Sequence, residues 1–268
     1  MAGGKNDNPM YNRTPRRPHF FYTTAPLPCP YLPGRTERKI VTELAGTDAE
    51  PLHDRLSRAG FRRSHNIAYS PVCSGCRACI PIRIVASEFQ PNRTQRKIDR
   101  ANADLLVTES PARASAEQFA LFQRYQAARH RDGDMAAMGF YDFRAMVEDT
   151  PITTGIVEFR DTQGNLLGAC LTDFLSDGLS AVYSFYAPDE PGRSLGTYAI
   201  LWLVARARAL GLPYVYLGYW VPESPKMAYK SRFQPSETLA GGQWRPLPVG
   251  AATAPEPVSS APQVSLTG

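Results

Sequence analysis

Apolar residues recur at helical spacing at Leu52, Leu56 and Ala59, which predicts a helix over 52–59 that Gly60 ends. Before it, Glu37–Leu44 is too short to assign. After it, Asn66–Val72 reads as a strand, and Ile80-Pro81-Ile82-Arg83-Ile84-Val85 alternates as a second one. Pro81 has no N–H to give to a ladder, so it belongs at that strand's start or on a sheet edge. A helix over Arg93–Ala101 and an apolar strand over Leu105–Thr108 follow, and Ser110-Pro111-Ala112-Arg113 reads as a boundary. Beyond it, Ser115-x-x-Gln118 has the form of a capping box, and Phe119, Phe122 and Tyr125 continue at helical spacing to His130. Three strands are predicted next, at Gly155–Arg160, Leu166–Phe174 and Leu179–Tyr186, joined by turns at Gly164-Asn165 and Asp177-Gly178. Arg193–Leu210 is a long helix with Gly211 and Pro213 as its stop. Tyr214–Trp220 has the composition of a buried strand, and Pro225–Phe233 suggests one more helix.

The expected organisation is a disordered tail over residues 1–18, a first domain over 19–112, a second over 113–248 and a disordered tail over 249–268. An antiparallel meander followed by one long helix and a further strand resembles the Gcn5-related acetyltransferase fold. In that fold the loop before the long helix binds the pyrophosphate of coenzyme A. Here the equivalent loop is Arg193-Ser194-Leu195-Gly196-Thr197-Tyr198, with bulky Tyr198 where a small residue is needed. The helix start still favours an anion, and a nucleotide lacking a pyrophosphate would fit it better than coenzyme A, so Arg193 and Tyr198 are candidate substrate-binding residues and no coenzyme A is expected.

At 268 residues and 43% hydrophobic content the chain has the makings of an ordinary globular protein. No stretch approaches the ~20 apolar residues of a membrane span, so no membrane partner is expected. The net charge of +5 is uneven, with 17 basic and 10 acidic residues over 1–112 against 13 and 15 over 113–268. A basic first half suits a polyanion. Arg93, Arg96, Lys97 and Arg100 fall at i, i+3, i+4 and i+7 and would form one cationic stripe for phosphates of an RNA backbone.

Three of the five cysteines, Cys73, Cys76 and Cys79, lie within seven residues, and Cys29 sits in a proline-bracketed segment. Four thiolates suit zinc or an iron–sulfur cluster, with redox-active thiols and packing as the competing uses. The odd thiol count and the absence of a signal-like apolar segment before them point to a reducing, cytoplasmic setting. Asp173 is a lone carboxylate in an apolar strand and requires a partner or a role. Strand periodicity puts Tyr183 and Phe185 on one face and Ser184 and Tyr186 on the other. The four histidines are scattered, and no hydrolase, metalloprotease or P-loop motif is present.

Pro28-Cys29-x-Tyr31-Leu32-Pro33, the run from His65 through Cys79, Tyr183-Ser184-Phe185-Tyr186, Ser194-Leu195-Gly196-Thr197, Leu217-Gly218-Tyr219-Trp220 and Lys226-Met227-x-Tyr229-Lys230 together resemble the aminoacyl-tRNA–protein transferases. The similarity runs over Phe20–Leu247 and is strongest to the bacterial aspartate/glutamate leucyltransferase branch, related to the eukaryotic arginyltransferases. The eukaryotic cysteine motif is arranged differently. The resemblance implies an α+β protein of two acetyltransferase-like mixed-sheet halves, the first carrying the cysteine cluster. It implies an enzyme that moves an amino acid from charged tRNA, leucyl-tRNA for that branch, to the N-terminal Asp or Glu of proteins, marking them for degradation. The motifs themselves do not separate a leucyl from an arginyl donor.

That reaction needs little acid–base power. An N-terminal amine titrates near ~8 and is partly nucleophilic at neutral pH. Attack on an activated ester builds an oxyanion that calls for hydrogen-bond donors. Asp173, Tyr186 and Tyr219 are the catalytic candidates. Arg83, Lys226, Lys230 and Arg232 are candidate cations for the acceptor's carboxylate. Two other readings stand beside this one, a coenzyme A-dependent N-acetyltransferase and a non-catalytic zinc-containing RNA-binding protein.

Overall fold

The computed structural model describes residues 18–131, 133–248 and 250. The two expected tails lie outside the described residues, except Pro18 and Gly250. In chain order the strands and helices of the first half are β1 (Tyr22–Thr23), β2 (Leu27–Pro28), β3 (Thr36–Glu37), β4 (Lys39–Glu43), α1 (Ala49–Arg58), β5 (Arg62–Ser64), β6 (Ile67–Pro71), β7 (Ile80–Val85), α2 (Arg93–Ala101) and β8 (Leu106–Pro111). The second half adds α3 (Ala116–Arg129), α4 (Phe140–Glu148), β9 (Thr154–Arg160), β10 (Leu166–Leu175), β11 (Gly178–Tyr186), α5 (Leu195–Ala209), β12 (Tyr214–Trp220), β13 (Ser236–Ala240) and β14 (Gln243–Pro246).

These strands build a mixed α+β architecture from an eight-stranded sheet, a four-stranded sheet and the two-stranded ribbon β2–β3. The large sheet runs β14-β13-β7-β12-β11-β10-β9-β8 and takes strands from both sides of the expected boundary at 112. Pro111 is not in a linker. It ends β8 in register with Gly155, which is tolerated because β8 is an edge strand and one side of it needs no partner. Pro81 sits inside the sheet instead of on an edge, yet β13 pairs with β7 only from Ile82 onward, so the missing N–H of Pro81 breaks no bond there.

The small sheet, β1-β4-β6-β5, carries α1 over a core of Leu44, Ala49, Leu52, Leu56, Ala68 and Ile152. The main core lies on the large sheet. On one face Phe122 and Phe143, from α3 and α4, pack on Phe185 with ring centroids 5.7 and 5.8 Å away. On the other, Phe159 meets Tyr198 of α5 at 5.4 Å. Ser115 and Gln118 cap α3 reciprocally, as the sequence pattern predicts.

Three local expectations change. Helix α4 interrupts the stretch expected to run straight from α3 into strands, and it buries Phe143, Met146 and Val147. The expected helix over 225–233 is only a 3-10 turn at Ala228–Arg232. Gly178 does not supply a positive φ at its turn; a Cβ there would lie 2.6 Å from the Tyr214 carbonyl oxygen, so glycine admits the neighbouring strand.

Candidate active site

The parallel strands β11 and β12 pair only over Gly178–Ser180 and Tyr214–Tyr216, then separate. Carbonyls beyond that point lose their ladder partners and need other donors. Arg62, at the start of β5, supplies them. Its Nη2 donates to Val182 O at 2.9 Å and Ala181 O at 3.1 Å, and its Nη1 to Leu217 O at 3.3 Å. Gly218 makes this possible, because a Cβ there would lie 1.6 Å from Nη1, and its φ of +75° is one that glycine adopts without strain.

Above the cleft the ends of several elements bring phenols together. Tyr186, the last residue of β11, lies 4.9 Å from the Tyr125 ring and close against Gly196 in the first turn of α5. Burial, and then Tyr186, Tyr183 and Tyr229, push the Tyr125 hydroxyl far up. Burial, and then Tyr186, lift Tyr229 to about 12. Gln126 donates to the Tyr183 hydroxyl at 2.7 Å while its own buried Oε1 has no partner among the described residues. His130 Nε2 is 3.4 Å from the Tyr125 hydroxyl, and burial, followed by Lys226 and Arg129, lowers its pKa.

The lysine pair is divided. The short turn does not put Lys226 and Lys230 on one helical face; Lys226 is exposed and Lys230 is buried. Lys230 Nζ donates to Tyr219 O at 2.7 Å. Burial, reinforced by the nearby Arg62 charge, holds its pKa well below the ordinary lysine range.

Other predicted site residues are engaged in packing. Asp173 is closed from solvent, with Arg63 donating Nε to Oδ2 at 2.8 Å and Nη2 to Oδ1 at 2.7 Å, and Thr154 Oγ1 at 2.9 Å. Its partner therefore comes from β5. The Tyr219 hydroxyl lies 3.1 Å from both Gly60 O and Tyr69 O, so it braces β12 against the small sheet. Arg83 pairs with Glu237 at 2.7 Å and stacks on Tyr214 at 3.5 Å and Trp244 at 4.3 Å. Arg193 forks onto Asp104 at 2.8 and 2.9 Å, and Tyr198 turns into the core. Arg232 is half-buried, and its carbonyl accepts from Gln95 of α2 at 3.3 Å. Of the three catalytic candidates, Tyr186 alone is a half-buried residue whose hydroxyl has no hydrogen-bond partner among the described residues.

The basic stripe is intact, with Arg93, Arg96, Lys97 and Arg100 all exposed on α2. That helix is tied to the start of α5, since Asn102 Nδ2 donates to Arg193 O at 2.8 Å and Arg193 Nη1 to Ala101 O at 3.2 Å.

Three of the cysteines border the β2–β3 ribbon: Cys29 N donates to Arg35 O at 2.9 Å, Arg35 Nη1 to Cys76 Sγ at 3.3 Å and Arg38 N to Cys73 Sγ at 3.4 Å, and Cys79 follows on the same β6–β7 loop. Burial first, then Cys29, Cys73 and Cys76, push the Cys79 thiol to about 12. The Ala78 amide and Arg35 hold Cys76 below its ordinary value, and Arg35 Nη1 is 3.3 Å from its sulfur. An all-thiol set has the right donors for zinc or an iron–sulfur cluster. As the side chains are placed, no group of three among the described residues is set to hold a metal ion. Cys170 stands apart in the core.

Family models fit this chain in two pieces. The N terminus of the arginine-tRNA-protein transferase matches residues 27–97, and its C terminus matches residues 117–240. The chain belongs to the arginine-tRNA-protein transferase family. It is an enzyme, an aminoacyl-tRNA–protein transferase. A protein of Granulibacter bethesdensis named aspartate/glutamate leucyltransferase is 66% identical over 243 residues, 90% of this chain and 89% of that one. One of the same name in Paramagnetospirillum magneticum is 65% identical over 86% of this chain and 94% of its own. Among solved structures, L-PGS from Bacillus licheniformis aligns with a TM-score of 0.47 at 11% identity, over 64% of this chain and 59% of that one. Among the described residues no helix is long and apolar enough to cross a membrane.

Arg62, Tyr125, Gln126 and His130 escape sequence reasoning because they belong to no motif. Their positions beside the cleft come from the pairing of β5 with β6 and from the packing of α3 on β11.

Proposed function

We propose that this enzyme transfers leucine from leucyl-tRNA to the N-terminal α-amino group of proteins beginning with Asp or Glu, marking them for degradation in the cytoplasm. The observation that carries this reading is 65–66% identity, over nearly the whole chain, to relatives named aspartate/glutamate leucyltransferase.

In this reading the stripe on α2 holds tRNA phosphates, and its link to the α5 start sets the aminoacyl end near the phenol cluster. The acceptor's neutral amine attacks the ester carbonyl carbon. An amide bond forms, the ester C–O bond breaks, and the released ribose oxygen of the tRNA takes up a proton. Tyr186 donates a hydrogen bond to the developing oxyanion. Lys230 supplies positive potential near the acceptor's carboxylate. Asp173, Tyr219 and Arg83 hold the parts in place through the contacts described above.

Cys29, Cys73, Cys76 and Cys79 would hold one zinc ion or iron–sulfur cluster, cross-linking the β2–β3 ribbon to the β6–β7 loop. Their all-thiol chemistry and the contacts of Cys29, Cys73 and Cys76 with the Arg35–Arg38 segment support this. The test of the donor is incubation of a peptide with an N-terminal Glu with leucyl-tRNA and, separately, arginyl-tRNA. A leucine adduct from the first and none from the second is expected; the reverse would reassign the donor.

A further inference from the structure

Two basic side chains meet where β11 and β12 part, and neither bonds a carboxylate among the described residues. Every hydrogen bond that Arg62 and Lys230 make among the described residues goes to a main-chain carbonyl. Elsewhere in the interior the chain matches its cations. Arg63 has Asp173, and Arg83 has Glu237. Lys230 is 5% exposed and Arg62 is half-buried, so the guanidinium charge lies unmatched in a poorly solvated place and disfavours a second charge on Lys230 beside it. That arrangement is unfavourable until an anion enters.

The guanidinium is also only partly used. It has five N–H groups, and the three carbonyls it caps leave Nε–H and a second Nη1 hydrogen without acceptors among the described residues. It is pinned as well as unfilled. The three carbonyls fix its plane, and Gly218 removes the Cβ that would push it out of the cleft. A pinned fork with donors left over suits a carboxylate, which accepts two hydrogen bonds side by side.

The geometry points to Arg62 as the residue that binds the side-chain carboxylate of the acceptor's N-terminal Asp or Glu, with Lys230 as the second positive charge. This rests on the proposed transfer to acidic N termini and adds the group that selects them. The cleft of β11 and β12 thus offers cation to the acidic side chain beneath the phenols that face the ester. Arg62 takes its place because β5 crosses behind β11 and β12, as its bonds to both strands require.

The test compares peptides that differ only in an N-terminal Glu or Gln, with leucyl-tRNA as donor, in wild type, Arg62→Gln and Arg62→Lys. Wild type should prefer Glu. Arg62→Gln should lose roughly 10- to 100-fold in kcat/KM on the Glu peptide and little on the Gln peptide, since a charge-assisted partner is lost only there. Arg62→Lys, which keeps the charge but not the fork, should fall between. Binding of charged tRNA should be unchanged in both variants. Equal losses on both peptides with intact tRNA binding, or an undiminished Glu preference in Arg62→Gln, would overturn the assignment. Should Arg62→Gln melt below the assay temperature, Arg62→Lys decides by the same ratio. Failure of wild type to modify the Glu peptide with leucyl-tRNA would instead count against the proposed function.

Discussion

Arg63 and Asp173 form a two-point ion pair between β5 and β10, at 2.8 and 2.7 Å, with both side chains closed from solvent. His53 of α1 stands 3.6 Å from the same carboxylate. One buried charge thus fastens the small sheet and its helix to the large one. Removing one partner leaves the other charged and unmatched. Asp173→Asn is expected to lose about 3–5 kcal/mol of stability in denaturant unfolding. The double variant Arg63→Met/Asp173→Leu should lose less than Asp173→Asn alone. A single variant as stable as wild type would show that the pair does not hold the sheets together.

The same network predicts a pH dependence. His53 titrates below its ordinary 6.5 because burial disfavours its charged form, with Asp173 opposing and Arg63 reinforcing that effect. Between the depressed native value and 6.5 the unfolded chain binds a proton that the native chain does not, so stability falls as pH falls through that window. His53→Gln should flatten the decline below 6.5. Thermal unfolding across that range checks it, and parallel curves for the two proteins would refute it.

The basic stripe predicts a salt effect. Replacing Arg93, Arg96, Lys97 and Arg100 with Gln should weaken binding of charged tRNA and lower the slope of log K against log salt by about 0.7–0.9 for each phosphate no longer neutralised. Binding of an acidic peptide should hardly change. An unaltered slope would place the tRNA elsewhere.

The cysteines predict a metal content. Anaerobically purified protein should contain zinc or iron, and Cys29→Ser or Cys79→Ser should lose it while Cys170→Ser keeps it. Cys170 is fully buried in β10, where its thiol is pushed up to about 11 by burial, the behaviour of a packing group. Protein free of both metals would remove the site.

Much of this architecture is legible along the chain, where it depends on local pattern. Helix α2 begins and ends at Arg93 and Ala101 as predicted, and β12 spans Tyr214–Trp220 without adjustment. Local signals exist for two further elements that periodicity alone leaves unassigned. Phe143, Met146 and Val147 mark one face of α4, and Gly241-Gly242, both with positive φ, turn the β13–β14 hairpin. The sheet's composition is not legible, because joining β7 and β8 to strands of the second half is a matter of long-range pairing. For the same reason Asp173 resembles a catalytic carboxylate when only its own strand is considered. Its partner Arg63 lies 110 residues away, and nothing in either neighbourhood signals the other. Lys226 and Lys230 look equivalent in sequence, and only the turn at Ala228–Arg232 exposes one and buries the other.

In the proposed function Tyr186 serves the chemical step. If its hydroxyl donates to the oxyanion, Tyr186→Phe should lower kcat by roughly 10²–10³-fold with little change in the affinity for charged tRNA. Single-turnover transfer measures this directly, and a variant with the wild-type rate would pass the role to another donor.

The most direct measurement is the mass of a peptide with a free N-terminal Glu after incubation with this enzyme and leucyl-tRNA, beside the same peptide with its amine acetylated. One added leucine on the free peptide and none on the blocked one is the predicted result. No leucine on the free peptide, or the same addition to the blocked one, would contradict transfer to an acidic N terminus.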